Sequence, residues 1–475
     1  MDLLEFIVYI VLCLAIIAFF SKVLAVAAIF IVFLCAITFL FINKNKEHAK
    51  VLGLLFLIVF LIHIIAVLFV YYTRFQPFNG GDYREYNSVA QDISSRLHQG
   101  DLSLDGLKVS HYYPVIVGYI YALTTPDMLM GQLLNAWLTA ILVIVAYFIV
   151  IEAGGSPKQG FWAGLIISFY PSLAFFSSLL LKDVLVALLC AVGLLMVLKI
   201  IKSFSWGKFF ILYLALLGLT HLRFYISLSL VFAFIICWML LSNLEIKKRL
   251  AFGAIMIILL GFLPSLSGGE GTGLGYFGKN VIKQYLNPKE ITYMREVIYA
   301  PPSTLKENQP TADLKENQPT AENQPTAEKN ESTLYEPFGR NESGIDVETN
   351  IDDPLKFSVN YLKSFIFVVL GPFPWQMSQP KHFFALPEVI AWWFFLFFIV
   401  KGIIESFKTK YKVILPVVIF SGFIFAVLAL FITNFGVITR IRIPAFISLL
   451  CLFPFGFEKL NNIKIPFIEN YFSKI

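Results

Sequence analysis

The stretch "VLGLLFLIVFLIHIIAVLFVYY" (residues 51–72) gives way almost at once to "FNGGDYREYNSVAQDISSRLHQG" (78–100). The first is long and apolar enough to cross a bilayer, which takes about 20 residues. The second carries Asp82, Arg84, Glu85, Asp92 and Arg96, groups that lipid does not accept without partners. The chain therefore leaves a membrane here and sets down a charged segment at its surface. The side on which that segment lies, and what joins it there, decide the fold and the function.

Composition agrees with a membrane chain. Of 475 residues, 58% are hydrophobic and only 14% charged, and 49 are Phe. The mean hydropathy is +0.76. A soluble domain carries about a quarter charged residues, so this chain has too little polar surface to cover a soluble body. The net charge of +6 reads as cytoplasmic Lys and Arg. There is no basic stripe interleaved with aromatics, and nucleic acid is not expected as a partner. Cys13, Cys35, Cys190, Cys237 and Cys451 each sit in an apolar run without a CxxC, which argues against a disulfide framework or a zinc site. Apolar residues begin at Leu3 with no basic residues before them, unlike a cleavable signal.

Apolar runs predict about twelve spans. They lie at 3–20, 23–41, 51–72, 128–151, 161–180, 184–200, 208–220, 224–241, 250–265, 386–407, 413–433 and 436–457. The stretches 111–124 and 357–375 are shorter or proline-broken and read as interfacial or re-entrant pieces. Divided by organisation, 1–42 holds two extra N-terminal spans and 43–265 a transmembrane core whose first external loop is 73–112. The segment 266–356 is an external loop, and 357–475 an interfacial segment followed by three spans. The lysine-rich turns "NKNKEHAK" (43–50), 152–160, "KIIKSFSWGK" (199–208), "EIKKR" (245–249) and "KTKYK" (408–412) then all fall on one side. The positive-inside rule makes that side cytoplasmic, together with both termini.

The opposite face collects the remaining unusual charges: Asp82, Glu85, Lys182, Asp183, His221, Arg223, Arg440 and Arg442. Ionisable groups at a membrane surface are costly unless paired or functional, so their gathering on one face marks a site. Within "GGDYREYNSVAQDI", Tyr83, Tyr86, Val89, Ala90 and Ile93 recur at three- and four-residue spacing, one face of an amphipathic helix. Asp82 stands at its start, as an N-cap or as a functional carboxylate. Lys182 and Asp183 read either as a self-paired cap of the next span or as site members. Arg440 and Arg442, two residues apart, cannot both point the same way on a helix; Arg440 is favoured and Arg442 is its backup. Guanidinium groups suit phosphate, which they bind bidentately, although an arginine here can also snorkel to headgroups. His63, deep in a span, reads as a bundle residue, and Trp375, Trp392 and Trp393 as an interfacial belt.

The long external segment contributes little chemistry. "SLSGGEGTGLGYFG" (265–278) is Gly-rich but lacks a P-loop pattern, and 279–302 reads as a short helix pair. "LKENQPTAD", "LKENQPTAE" and "NQPTAEKNE" (305–331) repeat a polar, Pro-punctuated unit that cannot bury a core. Asn330 and Asn341 each begin an N-x-Ser sequon.

The first loop with its leading acid runs on to "HYYPVIVGYIYALTT" (111–125) and "GQLLNAWLTA" (131–140). Together with "SFYPSLAFFSSLLLKDV" (168–184), "LRFY" (222–225), "GPFPWQ" (371–376) and "ITRIRIPAF" (438–446), it resembles the GT-C superfamily of membrane glycosyltransferases. The likeness is closest to bacterial relatives of the protein O-mannosyltransferases and lipid A aminoarabinose transferases, the family 39-like group. It covers residues 51–240, and 360–457 more loosely. The segment His111-Tyr112-Tyr113-Pro114 has one proline where relatives often have two, and the spans at 3–41 precede the family's first helix. The resemblance implies an all-α membrane bundle in a bacterial plasma membrane, using a polyprenyl-phosphate sugar. By it, Asp82 matches the acid that serves as base or orients the acceptor, with Glu85 a second carboxylate. Arg440, Arg442, Arg223 and Lys182 would hold the phosphate, and Asp183, His221, Tyr83 and His111 would line the site. It implies no certain cofactor and leaves room for a divalent ion at Asp82 or Glu85. The chemistry stands without the family too, since transfer to a hydroxyl needs a carboxylate near the acceptor and fixed positive charge at the leaving phosphate.

Two other readings stay open. An O-antigen- or capsule-type polymerase or ligase would use a diphosphate-linked donor and external arginines. A transporter or flippase of lipid-linked sugars would place charges through the depth of the bundle and repeat its helices.

Overall fold

The computed structural model describes residues 21–75, 82–103, 112–259, 291, 353–377, 383, 385–431 and 435–457. The expected span 3–20, His111, the sequons and nearly all of 266–356 with its repeat lie outside the described residues. Among the described residues the regular structure is helical: α1 (Lys22–Ile42), α2 (Ala49–Thr73), α3 (Tyr83–His98), α4 (Tyr113–Leu123), α5 (Met128–Glu152), α6 (Pro157–Ser168), α7 (Pro171–Ser178), α8 (Asp183–Lys202), α9 (Trp206–Leu222), α10 (Phe224–Leu241), α11 (Ile246–Leu259), α12 (Pro354–Leu370), α13 (Leu386–Phe431), α14 (Phe435–Ile441), α15 (Ile443–Leu450) and α16 (Phe453–Gly456).

Six of these, α1, α2, α5, α8, α10 and α13, are long and apolar enough to cross a membrane. A seventh is added if α6 and α7, bent by 60° at their junction, form one broken span. The expectation of about twelve spans is met in part among the described residues, and several of those spans are bent or broken. The region 161–180 bends because Pro171 cannot donate a helical N–H and Tyr170 leaves helical geometry. The spans expected at 386–407 and 413–433 are both present as the two arms of α13, which break at Lys410 (φ −125, ψ 20) inside the expected turn 408–412. At about 1.5 Å per residue, that helix is more than twice the hydrocarbon thickness of about 30 Å, so it cannot be a single straight crossing. The region 436–457 is not one straight helix but α14, α15 and α16, with prolines in the first turns of α15 and α16, and it runs on to Phe455, whose ring lies 4.8 Å from Lys410 Nζ. The helix α9 falls short of spanning length, and α11 is described only to Leu259.

The lysine-rich turns gather at one end of the bundle. Lys202 Nζ pairs with Glu152 Oε2 at 2.8 Å. Lys410 Nζ donates to the Gly154 carbonyl and Lys412 Nζ to Asn243 Oδ1, each at 2.9 Å. Tyr147 Oη and His48 Nδ1 share a hydrogen bond of 2.9 Å, which ties the 43–50 turn to the same end. The beginnings of α5 and α8 and the end of α9 lie opposite.

The amphipathic helix predicted after the first span is α3. Its apolar face, Tyr83, Tyr86, Val89, Ala90 and Ile93, is buried. It packs on α4. A Cβ on Gly118 would lie 2.6 Å from Ile93 Cγ2, so the close seating of α3 on α4 requires a glycine there. Tyr121 Oη donates to Asn87 Oδ1 at 2.8 Å across the same interface.

Candidate functional site

Four breaks in helical structure converge opposite the lysine-rich end, and each carries one charged side chain into a common cluster. Asp82 begins α3. Its own backbone is helical (φ −60, ψ −12), and its side chain makes no capping hydrogen bond. An Asp at this position ordinarily caps; this one instead turns its Oδ2 to Arg440 Nη2 at 3.0 Å. Tyr86 Oη donates to the same oxygen at 3.4 Å.

Asp183 opens α8, where the helix dipole favours an anion. The preceding residues, 179–182, are not helical, and buried amides satisfy their freed carbonyls. Gln132 Nε2 donates to Ser178 O at 2.9 Å, and Asn135 Nδ2 to Leu179 O and Leu181 O at 2.8 and 2.9 Å. Tyr113 Oη completes the brace on Asn135 Oδ1 at 2.9 Å. Buried backbone must find partners, and here α4 and α5 supply them. Asp183 is thereby fixed in depth and direction.

Both Asp183 oxygens meet arginines: Arg223 Nη2 at Oδ1 and Arg440 Nε at Oδ2. Arg223 forms the break between α9 and α10 (φ −153, ψ 87). Its Nη1 donates to Tyr225 Oη at 2.7 Å, while its Nε is buried without a hydrogen-bond partner. The result is a continuous ladder: Tyr225, Arg223, Asp183, Arg440, Asp82, Tyr86. Side-chain exposure is 3% for Asp183, 9% for Arg223, 12% for Asp82 and 17% for Arg440. The ladder is closed at its Asp183 rung and opens toward Asp82 and Arg440.

Burial works against the Arg440 charge, but Asp183 and Asp82 outweigh it and raise that guanidinium above its ordinary range. Burial also pushes the Tyr86 hydroxyl well up, with Asp82 adding to it. Lys182 lies just before the α8 span, 4% exposed. Burial, then Arg223, push its ammonium down to about 6 against the pull of Asp183. Lys182 makes no ion pair with Asp183, so the self-paired cap weighed from the sequence is not what forms here.

The other sequence candidates distribute as follows. Arg442 does not join the cluster. Fully buried, it donates Nη1 to Val368 O at 3.1 Å and Gly371 O at 2.5 Å, closing the C-terminal end of α12. Its Nη2 pairs with Glu388 Oε1 at 3.5 Å, and its guanidinium lies 4.4 Å from the Phe446 ring. Glu388 also accepts from Tyr170 Oη at 2.6 Å and from Ser172 Oγ. Arg442 thus serves as an interior tie, and the backup role for phosphate is corrected. Glu85 is exposed one turn along α3. Tyr83 is buried, its Oη accepting from Arg84 Nε at 2.7 Å. His221 meets the Tyr112 ring edge-on at 5.0 Å, beside the cluster. His111 lies outside the described residues. His63 pairs with Ser177 Oγ at 2.8 Å inside the bundle. Trp392 is fully buried against Phe446 and does not belong to an interfacial belt.

Tyr86, Tyr225, Asn135, Gln132 and Glu388 were missed as site or support residues. Glu388 carried a usable signal, a lone carboxylate at the head of an apolar run. The two tyrosines carried none, since aromatic residues are abundant throughout. The neighbours of Asp82 are cationic and hydroxylic, and Glu85 stands apart in solvent. No group of three or more His, Cys, Asp or Glu side chains occurs among the described residues.

A pocket of about 650 Å³ lies elsewhere, along α13 and the end of α12. Its lining is almost wholly apolar, including Leu370, Trp393, Leu396 and Val400. It has no direct contact with the ladder. No protein-family model matches the chain, and no curated protein matches it.

Proposed function

We propose that the protein is a membrane glycosyltransferase that moves a sugar from a polyprenyl-phosphate-linked donor to an acceptor on the extracytoplasmic face. The observation that carries this reading is Arg440 held between Asp82 and Asp183 at the open end of a buried charge ladder. A carboxylate and a guanidinium 3.0 Å apart, at the end remote from the lysine-rich turns, are the two groups the chemistry asks for. In the reaction the acceptor hydroxyl oxygen bonds to the anomeric carbon while the bond from that carbon to the phosphate oxygen breaks. The hydroxyl proton passes to Asp82, and the leaving phosphate takes the electron pair beside Arg440, with Arg223 behind it. The donor phosphate competes with Asp82 for Arg440, so donor binding frees the carboxylate for the acceptor.

The test is deletion of the gene, with cell-envelope glycans and polyprenyl-phosphate sugars profiled by mass spectrometry and complementation by wild type or Asp82→Asn. Accumulated monophosphate-linked sugar with one missing decoration, unrescued by Asp82→Asn, is expected. Accumulated diphosphate-linked repeat units would instead identify a polymerase or ligase.

A lipid-linked sugar transporter is the second reading. The observation favouring it is the Arg442–Glu388 pair, ionised groups lying inside the bundle. Unchanged decoration in purified vesicles supplied with donor and acceptor, with altered donor sidedness, would select it.

A further inference from the structure

Three basic side chains enter the cluster and two carboxylates answer them. Both oxygens of Asp183 are taken by Arg223 and Arg440, and Asp82 is engaged by Arg440 and Tyr86. Lys182 is left over. Its side chain is more than nine-tenths buried, and among the described residues it makes no hydrogen bond and no ion pair. The charged groups acting on it are Asp183 beside it, Asp82 from α3, Arg223 at the α9–α10 break and Arg440 from α14, while Tyr86 from α3 and Tyr113 from α4 stand around the same Asp183 and Tyr225 is bonded to Arg223. His221 stands at the end of α9 against Tyr112, and Arg442 and Glu388 neutralise one another further in. Among the described residues no counter-ion remains for this lysine. A charged ammonium there would be desolvated and repelled by two guanidinium groups, and a buried charge without a partner is strongly disfavoured. An arriving anion reverses that balance.

We propose that Lys182 makes anion capture proton-linked: a monoanionic phosphodiester docks against Arg440 and Lys182, and the Lys182 amine takes up one proton from solvent as it binds. The balance is simple. A neutral amine, a proton and a phosphodiester anion become an ammonium–phosphate pair, with no covalent bond made or broken. The proposal rests on the reading of the ladder as a phosphate site and adds to it a direction with pH. Burial holds the free amine down to about 6, and the bound anion raises it. Between those two values the complex holds one more proton than the free protein. Affinity is therefore fully expressed below about pH 6 and falls about tenfold per pH unit above it.

The experiment is calorimetric titration of the full-length protein in lipid nanodiscs with farnesyl methyl phosphate, a monoanion throughout the range, in pairs of buffers that differ in ionisation enthalpy. At about pH 7.5 the wild type is expected to take up about one proton per ligand bound, and its affinity to drop about a hundredfold from about pH 6 to about pH 8. Lys182→Gln should bind more weakly, without proton uptake and without pH dependence, and Lys182→Arg should bind with no pH slope. Binding by the wild type with no proton uptake overturns the lysine proposal and leaves the phosphate reading standing. The same proton uptake in Lys182→Gln overturns it too, because another group then titrates. No binding at any pH removes the phosphate reading and the proposal with it. The wild-type buffer pair decides the matter even where a variant fails to fold.

Discussion

At the scale of the residue, Arg442 and Arg440 show how two identical side chains acquire different duties. Arg442 has its nitrogens on the α12 carbonyls and on Glu388, with no exposure. Removing Glu388 leaves a buried guanidinium uncompensated. Glu388→Ala is therefore expected to destabilise the protein by about 3–5 kcal/mol, read as earlier thermal aggregation in detergent, while the double change Glu388→Leu with Arg442→Met recovers most of the loss. A double variant no better than the single one would mean that the pair does not carry the cost. Arg440 faces the open end. Arg440→Ala should lower sugar transfer about a hundredfold and, because it strips one partner from buried Asp183 while Arg223 remains, cost less stability than Glu388→Ala, about 1–3 kcal/mol. Equal loss of fold and activity would argue that Arg440 is a second structural tie.

Much of this was legible from residue types. In an apolar chain a charge is conspicuous, so Asp82, Asp183, Arg223 and Arg440 could all be picked out before any geometry was known. The two-residue spacing of Arg440 and Arg442 already implied opposite directions, and the break between α14 and α15 sends them to separate clusters. The partners were not legible. Nothing in the sequence says that Asp183 prefers arginines from 223 and 440 to its neighbour Lys182, because that choice is made by chain segments meeting in space. Asp82 was read as a capping residue or a functional one, and only its coordinates show an uncapped helix start.

At the scale of the element, the breaks matter more than the helices. The non-helical residues before α8 depend on Asn135, which makes two donor bonds and accepts one. Asn135→Leu removes all three from a buried position, where each unmet polar group costs about 1–3 kcal/mol. The expected outcome is faster hydrogen exchange at residues 179–182, measured by mass spectrometry, with α1 and α11 unchanged. The end of the molecule has a comparable dependence. A Cβ on Gly456 would lie 2.0 Å from the Phe398 carbonyl oxygen, so α16 can rest on α13 only with a glycine there. Gly456→Val should push α16 off α13 and lower the melting temperature, and an unshifted transition would show that this contact is dispensable. Helix boundaries were readable wherever apolar runs were bounded by charge or proline. The break inside α13 was readable too, since "KTKYK" (408–412) holds Lys410, where the two arms meet.

At the scale of the whole molecule, the two ends differ in chemistry. One gathers Lys202, Lys410, Lys412 and their carbonyl partners, and the other gathers the ladder. Single cysteines at Thr409 and Asp101 should therefore react with membrane-impermeant maleimide from opposite sides, Thr409→Cys only after the membrane is opened and Asp101→Cys in intact cells. Labelling of both from one side would contradict the arrangement. Among the described residues six helices, or seven with the bent α6–α7 pair, are long and apolar enough to cross, and hydropathy, which registers apolar length, did not show where 161–180 bends or where 436–457 breaks.

The ladder draws its members from positions 82, 183, 223 and 440, and this has a consequence for biogenesis. A chain that enters the membrane from its N-terminal side meets Asp183 and Arg223 early. Their pair can form while Asp82 still waits, and it waits until α14 brings Arg440. The ladder is thus completed only when α14, more than 200 residues beyond Arg223, has been made. A nascent chain stalled before α14 would hold Asp183 with a single arginine and Asp82 with none, an exposed intermediate that membrane quality control can recognise as unfinished.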